Sequence, residues 1–312
     1  MPSLSILRLG VIATAALLPA YLRTDAFVLP VTSTRGLSSS VGGSSGRRAA
    51  SVPSTSTAAG SVEEAKSNLK RALVENKGST LAKDVAAGVE ALGALNPTSD
   101  PARAWSLLSG NWISIGEDFK GTTRTDDGVE CSLGRLVFNI FEPVTMPILI
   151  TSIENNLGPR PEGASSTDES PYDIITHFVA RDGSGLRGVT AIKGVVAEDP
   201  SDSKRLVIKF STGTIEPEDG QDLDSWSKVI GVKDPTDEDS KGPLSWVKRK
   251  ATGVMLKVVL GFRGPADELG SRGELSYEMR RSPSATLDLI YIDEDMRVTR
   301  GSKGALVVTA RQ

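Results

Sequence analysis

The spacing of apolar residues changes near Trp105, and this change constrains the fold more than any other feature of the chain. Before Trp105 apolar residues recur every three or four positions, whereas after it they alternate in short segments bounded by Gly, Pro and Asp. Alternation points successive side chains to opposite faces of a strand, so the body of the chain is predicted to be β. The candidate strands are 111–115, 135–140, 172–180, 188–197, 206–210, 274–279, 286–292, 296–300 and 305–310.

Three of these candidate strands, 135–140, 206–210 and 274–279, have one more polar face. In one of them, Leu206, Ile208 and Phe210 alternate with Val207 and Lys209. About nine such strands suit a closed antiparallel barrel, because closure removes the exposed edges of an open sheet. The predicted fold is therefore mainly β, with an antiparallel β-barrel.

Two helical patterns precede the barrel, which is predicted to occupy 105–312. Ser61, followed by acidic residues, can cap the first helix, and apolar residues then recur at helical spacing up to Gly78. A second pattern ends at Asn96, because a residue that precedes proline avoids the helical region. We expect two short N-terminal helices within 61–95.

The first sixty residues have the composition of a two-part targeting sequence. Residues 1–25 contain Arg8 and an apolar stretch too short to cross a bilayer stably, as in a signal peptide. Residues 26–60 contain 13 Ser or Thr among 35 positions and no acid, as in a plastid transit peptide. The junction at Phe27 resembles the Ala-Phe motif of bipartite plastid targeting sequences in algae with secondary plastids. We expect the mature protein to lack both parts; the alternative is a secretory signal and a disordered linker.

Charge is distributed unevenly along the chain. The first sixty residues carry a net charge of +4 and the remainder carries −7, which gives the total of −3. A nucleic-acid-binding domain needs a concentrated basic surface that displaces counterions from phosphates. The acidic body therefore argues against a nucleic-acid partner.

The single cysteine and the single histidine exclude several kinds of site. Cys131 cannot form a disulfide within the chain, and His177 cannot supply a two-histidine or His-Cys metal centre with it. His177 shares its predicted strand face with Ile175 and Val179, so a structural role is favoured over a Ser-His-Asp site. We expect no metal and no catalytic residue.

Two short motifs imitate functional loops. Residues 183–188 match G-x-G-x-x-G, but a β pattern follows instead of a helix, so a hairpin turn is favoured over a dinucleotide site. The acidic turn 293–295 could pass for a divalent-ion loop, yet Arg297 and Arg300 follow it directly. We expect these arginines to be held against acids at the strand ends, with Asp293 as a partner, and we expect no cofactor.

The region 216–270 interrupts the strand pattern. Residues 216–243 carry nine acids and three prolines, which predicts a mobile insertion. Segment 245–262 mixes basic with bulky apolar residues and could lie on a membrane surface. The alternative is a core helix or strand with solvated lysines. The membrane-surface candidates are Trp246, Lys248, Arg249 and Lys250.

Both ends of the expected mature chain carry motifs of a known family. Residues 289–311 resemble the terminal signature Y-L-D-E-x-L-R-I-x-R-G-x-x-G of the plastid-lipid-associated proteins, or fibrillins. Residues 91–101 and 107–112, which include Gly110, are similar to the A-L-E-x-L-N-P-T-x-x-P linker and the L-x-G-x-W barrel entrance of that family. The matching C-terminal positions are Tyr291, Asp293, Glu294, Arg297, Arg300, Gly301 and Gly304.

The resemblance spans 61–312 and implies a lipocalin-like barrel behind N-terminal helices. It also implies plastid residence and association with plastoglobules or thylakoids that carry quinones, tocopherols or carotenoids. The chain departs from the family at 113–116 and in the region 216–270. A small barrel can enclose one apolar molecule, but the same alternation arises when side chains fill the barrel. The candidate ligand-binding residues are Trp112, Phe138, Phe210 and Tyr291.

These features favour a non-enzymatic plastid protein that binds or organises prenyl lipids. One alternative is an interaction module that scaffolds a prenyl-lipid biosynthetic enzyme, in which case the barrel would hold no lipid. Another is an enzyme that acts on a hydrophobic substrate, for which the sequence offers only weak acid-base candidates.

Overall fold

The fold of the chain is mainly β. The computed structural model describes residues 55–119, 121–137, 141, 143–160, 163, 165, 168–231, 262–263, 269–281 and 284–312. The helices are α1 (Thr55–Glu75), α2 (Lys83–Ala94), α3 (Trp105–Leu108), α4 (Leu133–Leu136) and α5 (Leu223–Val229), with a 3-10 turn at Pro101–Arg103. The strands are β1 (Trp112–Glu117), β2 (Thr123–Thr125), β3 (Gly128–Ser132), β4 (Pro147–Leu157), β5 (Ser170–Ala180), β6 (Arg187–Asp199), β7 (Asp202–Pro217), β8 (Phe262–Arg263), β9 (Leu275–Met279), β10 (Ser284–Ile292), β11 (Met296–Gly301) and β12 (Leu306–Arg311).

Eight antiparallel strands close into a barrel. Their order is β1, β12, β11, β10, β7, β6, β5 and β4, and the barrel closes where Ile113 of β1 pairs with Glu154 of β4. β3 and β2 extend the sheet beyond β4, while β9 and β8 pair beside β7. The prediction of a mainly β fold with an antiparallel barrel is confirmed.

The predicted strand at 135–140 is wrong. Leu133–Leu136 is a short helix, and Val137 follows in a turn. Leu133, Val137 and Phe141 are buried in one cluster, so the apolar spacing is helical here instead of alternating. Residues 138–140 lie outside the described residues.

β4 is the longest strand that the sequence pattern misses, at 11 residues. Proline opens this strand, and Glu154, Asn155 and Asn156 resemble turn residues near its end. In the structure Asn155 is buried and bonds to neighbours inside the barrel. The run of polar residues near its end therefore conceals the strand.

α1 and α2 pack against the outer face of β10, β11 and β12. α1 begins at Thr55, so Ser61 lies within the helix and the predicted cap is wrong. The run around Ala58 and Ala59 favours helix and extends α1 toward the N-terminus. Within the described ranges, no helix is both long and apolar enough to cross a bilayer. The buried residues of this contact include Leu69, Leu73, Val85, Val89, Leu92, Tyr291, Met296, Val298 and Val308.

Two further apolar clusters lie at opposite ends of the barrel. Trp112 at the start of β1 packs with Leu157 at the end of β4 and with Trp105 of α3, so we name this the α3 end. Because neighbouring strands run in opposite directions, Ile148 and Phe178 lie at the other end. There they pack beside α5, and we name it the α5 end.

The beginning of the region predicted to be a mobile insertion belongs to the core. Trp226 of α5 is fully buried, and its indole N–H donates to the carbonyl of Gly273 at 2.8 Å. A Cβ at Gly188 would lie 2.5 Å from Phe178 and 2.7 Å from Trp226, so a glycine is needed where these rings meet. Residues 232–261 lie outside the described residues.

Candidate functional site

The candidate site is the barrel interior, where a belt of polar side chains lies between the two apolar ends. On β1, a bulge after Ser114 lets both Ser114 and Glu117 face inward with Trp112. A Cβ at Gly116 would lie 2.4 Å from Leu73 of α1, which shows that Gly116 faces outward. Trp112 is fully buried and Glu117 is 8% exposed, so both contribute to an interior shielded from solvent.

Arg297 of β11 also points into the barrel. Its guanidinium lies 4.9 Å from the centre of the Trp112 ring, and the guanidinium of Arg311 lies 4.3 Å from the same ring. The predicted pairing of Arg297 with Asp293 is wrong, because Asp293 binds Lys66 at 2.6 Å on the outer side of the barrel. Alternation along β11 turns Arg297 inward, and no described carboxylate lies within ion-pair distance of it.

Burial governs the electrostatics of this interior. Arg297 is 3% exposed, and burial lowers its pKa to about 10. Burial raises the pKa of Glu117 to about 7, against the opposing effects of Ser114 and Arg124. Desolvation therefore disfavours the charged form of both groups.

Tyr172 of β5 lies near both of these groups. It interacts electrostatically with Arg297 and with Glu117, and burial raises its pKa to about 12. Its hydroxyl donates to Oδ1 of Asn155 at 2.9 Å, and Arg297 approaches the Asn155 carbonyl at 3.5 Å. The Tyr172 ring also packs on Phe210 with the ring centres 6.1 Å apart. The interior thus combines aromatic surface with polar groups.

The α3 end of the barrel is closed by paired charges. The Trp105 indole N–H donates to Glu198 at 3.0 Å, and Glu198 also binds Arg160. The Arg160 guanidinium lies 5.1 Å from the Trp105 ring, and Arg103 approaches Glu198 at 3.7 Å. Glu198 is buried with partners on several sides, so its charge is compensated at this end, although Nε of Arg160 is buried without a hydrogen-bond partner.

The chain is similar in sequence to a known plastid protein. The "Plastid-lipid-associated protein, chloroplastic" of Citrus unshiu is 24% identical over 258 residues, which cover 78% of this chain and 68% of the relative. The resemblance to the plastid-lipid-associated proteins is confirmed. No family model matches the chain, and no solved structure matches it.

Tyr291, a position of the motif that resembles the plastid-lipid-associated signature, lies outside the barrel. Tyr291 is buried beneath α1 and α2, so it does not face the interior as a candidate ligand contact would. Its hydroxyl donates to Asp293, which also accepts from Lys66 of α1. Lys66 binds Asp295 at 2.5 Å as well. We name Lys66, Tyr291, Asp293 and Asp295 the outer ionic cluster.

The outer ionic cluster compensates the burial of its charges. Burial disfavours the charged form of Lys66, but its hydrogen bonds to Asp293, Asp295 and Glu63 outweigh burial and raise its pKa above the ordinary range. Burial likewise opposes ionisation of Asp293, but hydrogen bonds from Lys66 and Tyr291 lower the pKa of Asp293 to about 2. This part of the plastid-lipid-associated motif fastens the N-terminal helix to the barrel.

The other charged positions of that motif are on the surface. Glu294 and Arg300 are exposed, and Arg300 lies opposite Asp288 across the β10–β11 pair. Asp288 binds Arg205 at 2.6 Å instead. No acid in the described part of the chain lies within ion-pair distance of Arg300, so its expected ion pair is absent there.

Glycines of the motif shape the strand connections. Gly110 has a φ of +131°, and a Cβ there would lie 2.6 Å from Arg311. The Arg311 guanidinium uses this space to donate to the Ser109 carbonyl at 2.8 Å. Gly301 and Gly304 form the turn between β11 and β12, where Gly304 has a φ of +86°. Only glycine adopts these conformations readily.

Two other predicted motifs lie away from the interior. Residues 183–188 form the expected hairpin turn between β5 and β6. His177 lies on the outer face, with its ring nitrogens 3.6 Å from Glu154 and 3.4 Å from Glu218. Among the described residues, no cluster of three or more His, Cys, Asp or Glu side chains could hold a metal ion.

The remaining candidates are distributed as follows. Of the predicted ligand residues, the structure brings Trp112 and Phe210 to the interior. A cleft of about 580 Å³ lies outside the barrel and is lined in part by Asn96, Arg205 and Asp288. Sequence patterns gave no sign of the inward polar belt, because Ser114, Glu117 and Asn155 resemble ordinary surface residues. The candidates Phe138, Trp246, Lys248, Arg249 and Lys250 lie outside the described residues.

Proposed function

We propose that this chain is a non-enzymatic plastid protein that binds one prenyl-lipid molecule in its barrel. The observation that carries the proposal is the closed eight-stranded barrel, since barrels of this size can hold one small ligand. The name of the Citrus unshiu relative describes a chloroplast protein associated with plastid lipid. The aromatic faces of Trp112, Tyr172 and Phe210 offer apolar surface of the kind that such a ligand needs.

We further propose that residues 1–60 direct the chain to the plastid by a signal peptide and a transit peptide. The mature protein then associates with plastoglobules or thylakoids. Segment 245–262, of which residues 245–261 lie outside the described residues, is our candidate for the membrane-surface contact. Basic residues near an anionic bilayer each add about 1 kcal/mol of attraction. Replacing Lys248, Arg249 and Lys250 with Ser should therefore weaken binding to anionic liposomes.

The lipid proposal is tested by mass spectrometry of organic extracts from the protein purified from plastids. We expect a prenyl lipid in a ratio near one per chain. Ile174 and Ile175 provide a matched pair, since the first packs with the interior cluster and the second lies on the opposite face. Ile174→Trp should reduce the recovered lipid several-fold, whereas Ile175→Trp should retain it. Melting curves establish that both variants fold.

The outcomes distinguish the proposed function from its alternatives. Equal lipid recovery from both variants would place the lipid outside the barrel. A wild-type protein free of lipid that co-purifies with a prenyl-lipid biosynthetic enzyme would favour the scaffold function instead. Turnover of a quinone or carotenoid by the purified protein without a partner would overturn the non-enzymatic assignment.

A further inference from the structure

Exposed large apolar side chains are concentrated at one end of the barrel. Within the described part of the chain they are Val74, Leu81 and Leu223, which are 78%, 65% and 45% exposed. Single exposed apolar residues are common on protein surfaces and need no explanation by themselves. These three, however, are carried by elements that all lie at the α5 end, so one partner can contact all of them.

Val74 and Leu81 flank the connection from α1 to α2. β1 begins at the α3 end, so its last residues lie toward the α5 end. A Cβ at Gly116, near the end of β1, would lie 2.4 Å from Leu73, which precedes Val74. The Leu81 N–H donates to Asp118, directly after β1, at 3.1 Å. These contacts place both exposed residues toward the α5 end.

The α5 end also carries Leu223 and the attachment points of segment 245–262. Leu223 is the first residue of α5, the helix that packs at this end. Ile230, which follows α5 on the N-terminal side of the segment, is buried in the same apolar cluster. Phe262 of β8 pairs with Met279, another residue of that cluster. Our membrane-surface candidate is therefore joined to the barrel where the three apolar side chains are exposed.

Charge does not select the partner of this end, because charges of both signs lie beside the apolar residues. The exposed Lys83 and Asp84 follow Leu81 in the chain. α5 carries an acid in its first turn and a base in its last turn. A stable protein interface buries about 800 Å² of each partner around an apolar core. Three single side chains on separate elements suit a lipid surface better, because each one inserts between lipids without a complementary pocket.

We propose that the α5 end of the barrel rests on the plastid lipid surface, with Val74, Leu81 and Leu223 inserted between its lipids. This inference rests on the proposed association with plastoglobules or thylakoids and adds which face of the protein makes the contact. The acidic turn 293–295 follows Ile292, which is buried at the α3 end. In this orientation the acidic turn points away from the lipid, where it meets no anionic head group.

Flotation of the protein purified from plastids with phosphatidylcholine vesicles tests the contact. This lipid has no net charge, so basic residues add no attraction and the apolar contribution is isolated. The triple variant Val74→Ser, Leu81→Ser and Leu223→Ser should bind at least about tenfold more weakly, since full burial of one such side chain is itself worth roughly that factor. The matched control, Ala91→Ser with Ala94→Ser, changes exposed positions in the last turn of α2 and should bind normally. Melting curves establish that both variants fold.

Fluorescent labels show which end of the barrel the lipid covers. The free thiol of Cys131 is removed by Cys131→Ser, and Leu81→Cys, Leu223→Cys or Ala94→Cys then carries the label. Iodide in solution quenches each label in the absence of vesicles. Vesicles should reduce quenching several-fold at the first two positions and leave it unchanged at the third. Equal protection at all three positions, or protection at Ala94→Cys alone, would overturn the orientation.

The failure of this inference is separable from that of the proposed function. Normal vesicle binding by the triple Ser variant would refute the apolar contact and leave lipid binding in the barrel intact. Binding only to vesicles that contain phosphatidylglycerol would assign the attachment to segment 245–262 alone. A wild-type dimer that the triple variant disrupts would make a second copy of the chain the partner of this end. If the protein bound no vesicle and carried no lipid, both the inference and the proposed function would fall.

Discussion

Two buried cations of this protein, Lys66 and Arg297, differ in how they are paired. Lys66 lies between α1 and the barrel wall, where Asp293 and Asp295 bind it at 2.6 and 2.5 Å. Arg297 lies on the inner side of the same wall, where it stacks on Trp112 and keeps an unpaired Nε–H. Asp293 and Asp295, which bind Lys66, lie in the segment that resembles the plastid-lipid-associated signature. Arg297 lies in the same segment.

This difference has opposite consequences for stability. A buried charge with several close partners stabilises the contact between two elements. Removing one partner leaves the remaining charges buried without compensation, which destabilises the fold. A buried charge without partners costs stability in the empty protein but is ready to bind a polar group. The outer ionic cluster therefore fastens the helices, whereas Arg297 keeps an unpaired donor inside the barrel.

The largest expected effect comes from removing the central cation of the outer cluster. Lys66→Met leaves Asp293 without its main partner and should lower the free energy of unfolding by about 3 to 4 kcal/mol. Lys70→Met, on the exposed face of the same helix, should change it by less than about 0.5 kcal/mol. Urea unfolding measures both. Similar losses in the two variants would contradict the role given to the outer cluster.

Removing the interior acid, Glu117, should raise the free energy of unfolding, which is the opposite of the effect expected at Lys66. Burial raises the pKa of Glu117 from 4.5 to about 7, so the folded protein holds this proton more tightly than the unfolded chain. Stability should fall as the pH rises from 4.5 to 7, by up to about 3 kcal/mol. Glu117→Gln should lack this fall and be the more stable protein above pH 7. The control Glu154→Gln should retain this fall in stability. If Glu117→Gln and the wild-type protein had the same pH profile, Glu117 would be exposed to water.

The outer ionic cluster should lose its stabilising effect at acidic pH instead. Hydrogen bonds from Lys66 and Tyr291 outweigh burial and lower the pKa of Asp293 from 3.8 to about 2, so this carboxylate stabilises the fold above pH 3.8. The stabilisation should be lost as the pH falls from about 4 to about 2, with a magnitude up to about 2 kcal/mol. Asp293→Asn should remove this step from the stability profile. Glu64→Gln, an exposed position of α1, should preserve it.

The smallest effect is expected at Tyr291. Tyr291→Phe removes one hydrogen bond to Asp293 and should cost about 1 kcal/mol. In the Lys66→Met background the same substitution should cost a different amount, because the two residues share one partner. A double-mutant cycle by urea unfolding measures this coupling. Strict additivity would show that the hydroxyl and the amine act independently.

Local patterns in the sequence were sufficient for the strands that alternate regularly. β5, β6, the central part of β7 and the hairpin at 183–188 were predicted because their signals lie within a few residues of one another. β4 was missed because proline opens it and three consecutive polar residues, Glu154, Asn155 and Asn156, resemble a turn near its end. Such a polar run interrupts the alternation by which a strand is recognised.

The pairing of distant charges could not be predicted from local patterns. Lys66 and Asp295 are separated by 229 positions, and nothing near Lys66 indicates an acidic partner. Arg297 was assigned to Asp293 because the two are close in sequence, yet the strand turns one inward while the other faces α1. Residues that are close in sequence can lie on opposite faces of a sheet, so proximity along the chain is a poor guide to which charges pair.

The closure of the barrel has a consequence for the order in which the chain folds. β1 lies between β4 and β12, and Trp112 pairs with Arg311, so almost the whole barrel separates these partners in sequence. Contacts of such high sequence separation form slowly, because a long loop must close before they add any stability. Until β12 inserts, the edges of β1 and β11 are open to other strands. Newly made chains are therefore most prone to aggregation just before this last strand docks.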